Sequence, residues 1–185
     1  MRYTSYFKRA MLREMKINIV LFQPEIPQNT GNISRTCSAT GCALHLVHPL
    51  GFSLDERHLR RAGLDYWEGL EIHEYPSNDA FFLENTSEKM WFFSQKGTRN
   101  YWDITSEELF SDKEIWLVFG RESRGLDEDL LLKHKDRCVR IPMLEGKRSL
   151  NLSNAVAVAV YEVLRRMGFD GLKVTGSLGK GEPCA

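Results

Sequence analysis

The chain has 185 residues, the size of one compact domain. Apolar residues make up 42% of the chain and charged residues 27%, which excludes intrinsic disorder for the molecule as a whole. The 25 Lys and Arg residues balance 25 Asp and Glu residues, so any contact with a nucleic acid must come from a local basic patch and not from the net charge.

The four cysteines and the hydropathy pattern indicate the compartment. Cys37, Cys42, Cys138 and Cys184 form no CxxC pair, which argues against a zinc ribbon or a dithiol redox motif. No stretch approaches the roughly 18 consecutive apolar residues of a membrane span, and residues 1–16 lack the apolar block of a secretory signal. We therefore expect a reduced, cytoplasmic protein with no membrane contact.

The N-terminal segment differs from the rest of the chain in charge. Its first 16 residues carry five basic residues against the single acidic residue Glu14. The segment can be interpreted as a basic arm that contacts RNA or as an extension of 14 residues before a domain beginning at Met15, and we favour the second. We expect the domain to cover residues 15–169 and the glycine-rich residues 170–185 to form a flexible tail.

From residue 16 onwards, short apolar runs alternate with amphipathic stretches, a pattern typical of alternating strands and helices. The predicted strands occupy residues 16–22, 42–47, 71–75, 90–94, 115–119 and 138–142. The predicted helices occupy residues 33–40, capped by Asn32 and ended by Gly41, and residues 54–62, 79–84, 106–110, 127–134 and 153–167. This alternation predicts an α/β fold with a mainly parallel sheet flanked by helices.

Ligands of open α/β sheets bind beyond the carboxyl ends of the strands, and three loops at such positions are unusual. Residues 94–98, SQKGT, form a polar turn with a glycine. Residues 120–125, GRESRG, place two arginines and a carboxylate between glycines, where guanidinium groups can bind phosphate or carboxylate. Residues 144–154, LEGKRSLNLSN, hold more polar groups than one helix cap needs. Each loop also has a purely structural interpretation. Residues 94–98 could be an ordinary turn, residues 120–125 a solvated loop of ion pairs, and residues 144–154 a helix start with extra capping residues.

A fourth candidate segment is PEIPQNTGNISRT, residues 24–36. Residues 29–32 are expected to form a tight turn into the first helix, and Arg35 lies near the helix N-terminus, where the dipole disfavours a cation. An anionic partner would explain this position, although an ordinary surface arginine explains it as well. The following basic residues could add to one basic face, or could simply be solvated: Arg57, Arg60, Arg61, Lys96, Arg99, Lys147, Arg148, Arg165 and Arg166.

Two other site classes find little support. His45 and His48 are three residues apart on a predicted strand, so a metal site is not expected. No GxSxG sequence occurs, which argues against a hydrolase with a serine nucleophile elbow.

Taken together, four segments resemble the SPOUT class of RNA 2′-O-methyltransferases and, more narrowly, the tRNA (cytidine(34)-2′-O)-methyltransferase family. These segments are PEIPQNTGNISRTC, LRRAGLDYW, FGRESRGL and RIPM…RSLNLSNAVAVAVYE, and the similarity covers about residues 15–167. The resemblance implies an S-adenosylmethionine-dependent homodimer without a metal, whose C-terminal chain forms a trefoil knot. Periodicity alone does not predict the knot, because knots are very rare.

The resemblance also implies roles for individual residues. The cofactor would lie between loops 93–97, 120–125 and 141–151. The implied cofactor-binding residues are Phe93, Gly120, Glu122, Ile141, Ser149, Leu150 and Asn151, with Ser153 and Asn154 fixing the start of the last helix. Asn32 and Arg35 would be catalytic at the RNA-facing edge. Because an arginine is always protonated, we expect Arg35 to bind a phosphate and position the ribose oxygen and not to act as a base.

The residues implied to bind RNA are Arg35, Lys96, Arg124 and Tyr161, with Tyr161 also near the dimer interface. A buried, purely structural Tyr161 remains an alternative. The predicted reaction is 2′-O-methylation of the wobble nucleotide, cytidine or 5-substituted uridine at position 34, in leucine tRNAs. The alternatives are methylation of another tRNA or rRNA ribose and a non-catalytic RNA-binding protein on the same fold. A nucleotide-binding module using residues 120–125 would leave the LNLSN segment unexplained.

Overall fold

The computed structural model describes residues 15–53 and 69–177. Within these ranges seven strands form one sheet in the order β3-β2-β1-β6-β4-β7-β5, and every pairing is parallel. The strands are β1 (Lys16–Phe22), β2 (Ala43–Val47), β3 (Ile72–Tyr75), β4 (Met90–Phe93), β5 (Arg99–Asn100), β6 (Glu114–Phe119) and β7 (Cys138–Arg140). The predicted parallel α/β sheet is therefore confirmed.

Five α-helices lie in the described ranges. They are α1 (Pro27–Thr40), α2 (Asn78–Glu84), α3 (Ser106–Leu109), α4 (Glu128–Lys133) and α5 (Leu152–Arg166). Short 3-10 turns at Ser87–Lys89, Tyr101–Asp103 and Lys135–Arg137 were not predicted. The helix predicted at residues 54–62 lies outside the described residues. The other predicted helices end within one or two residues of the observed bounds, except for the start of α1.

The interior strand β1 shows why these apolar runs form strands buried on both faces. Side chains alternate between the two faces of a strand. Ile17, Ile19 and Leu21 join a core cluster that includes Ile33 of α1 and Val156, Val160 and Val163 of α5. Val20 and Phe22 join a second cluster on the other face, with Phe81, Phe92 and Trp116. The two clusters account for the continuous apolar character of the run.

Helix α1 begins earlier than the sequence predicted. Its first residue is Pro27, so Asn32 is an interior residue and not the cap, and residues 29–32 are helical and not a turn. Proline favours the first helical position because its fixed φ angle suits the helix and its missing N–H is not needed there. The predicted end is correct: Gly41 adopts φ 72° and its N–H donates to the Cys37 carbonyl.

Strand β5 was also missed, because it contains only Arg99 and Asn100 and pairs only with β7. This pairing inserts β7, the last strand in sequence, between β4 and β5. The implied trefoil knot is compatible with this order and remains a prediction.

The C-terminal residues continue to contact the domain beyond α5. Leu172 is partly buried and packs against the cluster that contains α5, as do Met167 and Phe169. Leu172, in the segment predicted to be a tail, therefore contacts the domain. Among the helices that the structure describes, none is long and apolar enough to cross a bilayer.

Candidate active site

The three predicted loops converge at the carboxyl ends of β4, β6 and β7. They line a cavity of about 600 Å³ together with the first turns of α1 and α5. All seven residues predicted to bind the cofactor line this cavity: Phe93, Gly120, Glu122, Ile141, Ser149, Leu150 and Asn151. Lys96 and Arg124, two of the residues predicted to bind RNA, line it as well.

Loop 120–125 turns back sharply at the end of β6. The Gly125 N–H donates to the Arg121 carbonyl over 2.8 Å, and Gly125 adopts φ 72°. A Cβ atom added to Gly120 would lie 2.2 Å from the Gly125 carbonyl carbon and 2.3 Å from the Leu126 nitrogen. Both glycines are therefore required by the close approach of two backbone segments and by the left-handed turn.

One wall of the cavity is apolar. Phe93 is stacked on Phe119, with ring centroids 4.8 Å apart, and Ile141, Leu150 and Leu152 also line the space. Loop 120–125, including Glu122, and Asn29 of α1 also belong to the lining. A few polar groups beside an apolar wall are typical of a small-molecule site.

The Glu122 carboxylate is held by the N-terminal end of α1. It accepts hydrogen bonds from the Glu25 N–H at 2.8 Å, the Ile26 N–H at 3.3 Å and Asn29 Nδ2 at 2.9 Å. The Ile26 side chain preceding α1 cannot accept a hydrogen bond, and an anion at a helix N-terminus is favoured by the dipole. Glu122 thus binds the chain where α1 begins, whereas the N-cap position is occupied by Ile26 and not by Asn32 as predicted.

A second carboxylate, that of Glu25, binds loop 120–125 from the segment that precedes α1. Glu25 accepts hydrogen bonds from the Ser123 N–H at 2.9 Å and from Ser123 Oγ at 2.8 Å. These two donors, helped by the charges of Arg121 and Arg124, hold the pKa of Glu25 below its usual value. The segments around Glu25 and Glu122 are therefore tied to each other in both directions.

Asn151 is the cap of α5. Its Oδ1 accepts hydrogen bonds from Ser153 N–H at 2.9 Å, Ser153 Oγ at 2.6 Å and Asn154 N–H at 3.4 Å. Its Nδ2 donates to Asn29 Oδ1 over 2.8 Å. Asn29 therefore joins Glu122 to Asn151, a role that was not predicted from the sequence. The available signal was an amide within the fourth candidate segment, which had been assigned to a turn.

The two residues predicted to be catalytic lie outside the cavity lining. Asn32 and Arg35 are exposed on α1, three and six residues after Asn29, which lines the cavity. Six residues correspond to roughly 9 Å along a helix and about 120° around it. Tyr161 lies on α5, ten residues after Asn151 and equally outside the lining. It is half exposed, so a fully buried structural tyrosine is excluded.

The described residues of the suggested basic face differ in their surroundings. Lys96 and Arg148 line the cavity, with Lys96 Nζ 3.2 Å from Glu128. Arg99 is paired with Glu108 instead, at 2.6 Å. Arg166 is mostly buried and donates to the carbonyls of Ile104 and Trp102. Arg57, Arg60 and Arg61 lie outside the described residues.

His45 lies in the core and not in a metal site. Its ring nitrogens are 3.0 Å from the Tyr75 hydroxyl and 3.1 Å from Asn18 Oδ1. Burial, together with the charges of the neighbouring His73 and Lys16, lowers the pKa of His45 to about 3. In the part of the chain that the structure describes, no three His, Cys, Asp or Glu side chains are grouped to hold a metal ion.

Comparison with known proteins decides the family. The sequence pattern of the SpoU rRNA Methylase family matches residues 16–161, which include the cavity loops and most of α5. This chain belongs to the SpoU methylase family. The parallel sheet and the three loops around the cavity therefore belong to a methyltransferase fold, as the resemblance of the sequence motifs implied.

Relatives within the SpoU methylase family are similar over nearly their whole length. A protein of Geobacillus stearothermophilus, provisionally named tRNA (cytidine(34)-2′-O)-methyltransferase, is 56% identical over 160 residues, 85% of this chain and 99% of that protein. A tRNA (cytidine(34)-2′-O)-methyltransferase of Saccharophagus degradans is 50% identical over 84% of this chain and 99% of its own. A solved structure described as giving insights into the 2-OH methylation of C/U34 on tRNA has a TM-score of 0.74 at 39% identity, covering 84% of this chain and 99% of that one.

Proposed function

We propose that this protein transfers a methyl group from S-adenosylmethionine to the ribose 2′-oxygen of nucleotide 34, cytidine or 5-substituted uridine, in leucine tRNAs. The observation that carries the proposal is the convergence of the three motif-bearing loops on one cavity. The names of relatives at 56% and 50% identity support tRNA and position 34. The preference for leucine tRNAs rests on the sequence resemblance.

The cavity suits the proposed cofactor. Its volume of about 600 Å³ is in the range of small-molecule sites. Phe93, Ile141 and Leu150 offer apolar surface for the adenine, and the exposed Ser149 beside them can bind the polar parts. The side-chain-free backbone at Gly120 allows close approach of the cofactor. When bound, S-adenosylmethionine supplies the methyl group that is transferred.

The polar groups of the cavity are arranged to shape it and not to remove a proton. Glu122 already accepts three hydrogen bonds, from the Glu25 N–H, the Ile26 N–H and Asn29 Nδ2, so both of its carboxylate oxygens are used within the protein. Asn151 is used as the cap of α5. We therefore assign Glu122 to shaping the cofactor loop and Asn151 to holding the wall formed by the start of α5.

Catalysis then depends on positioning the ribose hydroxyl. Arg35 is exposed, and its guanidinium group can bind the phosphate beside the target nucleotide, while the exposed Asn32 supplies a further polar contact one turn earlier. Holding two reacting groups in the correct geometry is worth roughly 7 to 11 kcal/mol. Lys96 and Arg124 at the cavity would bind the neighbouring phosphates.

A homodimer is part of the proposal. Val158 and Tyr161 are 38% and 50% exposed and lie three residues apart on α5, so they form an apolar strip on the surface of the described chain. A second copy of the chain would cover this strip and bring Tyr161 near the RNA. We also propose a catalytic domain of residues 15–169, with residues 1–14 and 170–185 outside it, a cytoplasmic location, and a reaction that needs no metal.

A second candidate function is methylation of a ribose in ribosomal RNA. It is favoured by the matching family pattern, which is described by rRNA methylation. The fold, the cavity and the cofactor would be the same, and only the RNA would differ.

The test is transfer of radiolabelled methyl groups from S-adenosylmethionine to bulk tRNA and, separately, to rRNA from a strain lacking the enzyme, followed by mapping of the label. Label at the wobble ribose of leucine tRNAs, seen as resistance to alkaline cleavage, is the expected result. Label only in rRNA would favour the second candidate. Binding of S-adenosylmethionine without transfer to either RNA would contradict both.

A further inference from the structure

We propose that Glu25 is a positioning residue that ties the start of α1 to the cofactor loop 120–125 and thereby sets the RNA-facing part of α1 relative to the cavity. The inference rests on the proposed function, because it concerns how the substrate side and the cofactor side of that site are aligned. It assigns no chemical step to Glu25.

The tie consists of a reciprocal exchange between two segments almost a hundred residues apart in sequence. The Glu25 carboxylate accepts the N–H and the Oγ hydroxyl of Ser123, while the Glu25 N–H donates to the Glu122 carboxylate. Glu25 is thus bound to the adjacent residues Glu122 and Ser123, and both its backbone N–H and its side chain take part. Such a pair resists sliding and rotation more than a single hydrogen bond does, because several directions are fixed at once.

The backbone of Glu25 is also held from the side of β2. The Gly51 N–H donates to the Pro24 carbonyl over 2.9 Å, and the Gln23 N–H donates to the Val47 carbonyl over 2.8 Å. Gly51 packs so closely that an added Cβ would lie 2.7 Å from the Glu25 Cα atom. The backbone of Glu25 is therefore held in place, and the hydrogen bonds of its carboxylate fix Ser123 relative to that backbone.

The position of α1 matters because this helix connects the two halves of the proposed site. Asn29 in its first turn lines the cavity and contacts Asn151, whereas Asn32 and Arg35 are exposed further along the same helix. Any displacement of the start of α1 relative to loop 120–125 moves Arg35 relative to the cofactor. A misplacement of about 1 Å can reduce the rate of a reaction by about a hundredfold.

The experiment compares Glu25→Ala, Glu25→Gln, Ser123→Ala and the double variant Glu25→Ala/Ser123→Ala with the unchanged full-length chain. The control is Glu107→Ala, which removes an exposed carboxylate on α3, away from the cavity lining. Four quantities are measured: kcat and KM with tRNA, the Kd for S-adenosylmethionine by calorimetry, the melting temperature, and amide hydrogen exchange of the peptide covering residues 120–126.

For Glu25→Ala we expect kcat to fall about tenfold while the Kd for S-adenosylmethionine changes less than about twofold, because the relative placement of the two halves is loosened and the cavity walls remain. Exchange in residues 120–126 should increase, since the Ser123 N–H loses its acceptor. Glu25→Gln keeps an acceptor for that N–H and should restore most of kcat. The double variant should be no worse than Glu25→Ala, because the two residues act through one contact.

Three results would overturn the inference: a kcat of Glu25→Ala equal to that of Glu107→Ala, additive losses in the double variant, or a loss of kcat that follows a lowered melting temperature and is not restored by Glu25→Gln. Failure of the proposed function looks different. In that case the unchanged chain itself transfers no methyl group to tRNA, while hydrogen exchange of residues 120–126 still shows whether Glu25 holds the loop.

Discussion

Individual side chains around the cavity fall into two groups. Glu122, Asn29 and Asn151 form a connected series of hydrogen bonds between α1, loop 120–125 and the start of α5. Ser149 is an exposed residue of the cavity lining, and Arg35 is an exposed residue of α1. We assign the first group to maintaining the shape of the site and the second to contacts with the cofactor and the RNA.

Substitution of the two exposed residues should affect different steps. We expect Arg35→Ala to lower kcat for tRNA at least about a hundredfold, as loss of a positioning contact does, and to leave the Kd for S-adenosylmethionine unchanged. Ser149→Ala should instead weaken cofactor binding about fivefold, which is roughly one lost hydrogen bond. Calorimetry and single-turnover transfer measure the two steps. An active Arg35→Ala, or an unchanged cofactor Kd in Ser149→Ala, would refute the respective role.

His45 should make the stability of the protein depend on pH. Burial lowers its pKa to about 3, whereas in the unfolded chain it takes up a proton near pH 6.5. The unfolded state therefore binds more protons between these values, and stability falls as the pH is lowered from about 6.5 towards 3, by at most about 1.4 kcal/mol per pH unit.

Urea unfolding at pH 7.5, 6.5 and 5.5 tests this prediction with the unchanged chain and with His45→Asn. The variant should lose less stability than the unchanged chain over this interval, because the buried group that titrates is gone. Equal slopes for the two proteins would contradict the assignment.

Among the elements, strands and helices with strong apolar patterns could be predicted closely, and those positioned by distant residues could not. The run IWLVF forms most of β6, and both faces of this strand are buried. Such a continuous apolar run can be identified in the sequence without knowing which strands pair with it. The start of α1 depends on Glu122, which is distant in sequence, so the local preference of Asn32 for a cap position was misleading. Strand β5 exists only through its pairing with β7.

The turn after β6 leads to a prediction about Gly120. A methyl group at this position would overlap backbone atoms of Gly125 and Leu126, which cannot move aside as a flexible side chain can. We expect Gly120→Ala to lower the free energy of unfolding by about 2 kcal/mol, a typical cost of overpacking, and to abolish cofactor binding. Gly176→Ala is the control, because an added Cβ there meets no atom within 4 Å. Thermal unfolding and calorimetry should show a change in the first variant alone.

For the molecule as a whole, the order of strands brings the active-site loops together. Strands β4, β6 and β7 are neighbours in the sheet although about 45 residues separate the first from the last, so their carboxyl ends open onto one cavity. The position of β7 between β4 and β5 places the last loop directly beside the first. The three loops of the site therefore meet only when these three strands lie side by side.

The exposed strip on α5 leads to a prediction about assembly. We expect the protein to have twice the mass of one chain in light scattering at micromolar concentration, and Tyr161→Glu to shift it to the mass of one chain, because a carboxylate cannot be buried without a partner. Val174→Glu is the control, since Val174 is an exposed apolar residue beyond α5. A single-chain mass for the unchanged protein at full activity would refute the proposed homodimer.

Apolar periodicity and local motifs were enough to predict the α/β class, the strands at the centre of the sheet and the three loops that line the cavity, because both are properties of neighbouring residues. They did not predict the start of α1, the insertion of β7, or the roles of Glu25 and Asn29. The two roles depend on contacts between residues roughly a hundred positions apart, such as Glu25 with Ser123 and Asn29 with Asn151. Such contacts are seen only in the folded chain, because a hydrogen bond to a distant residue leaves no periodic signal in the local sequence.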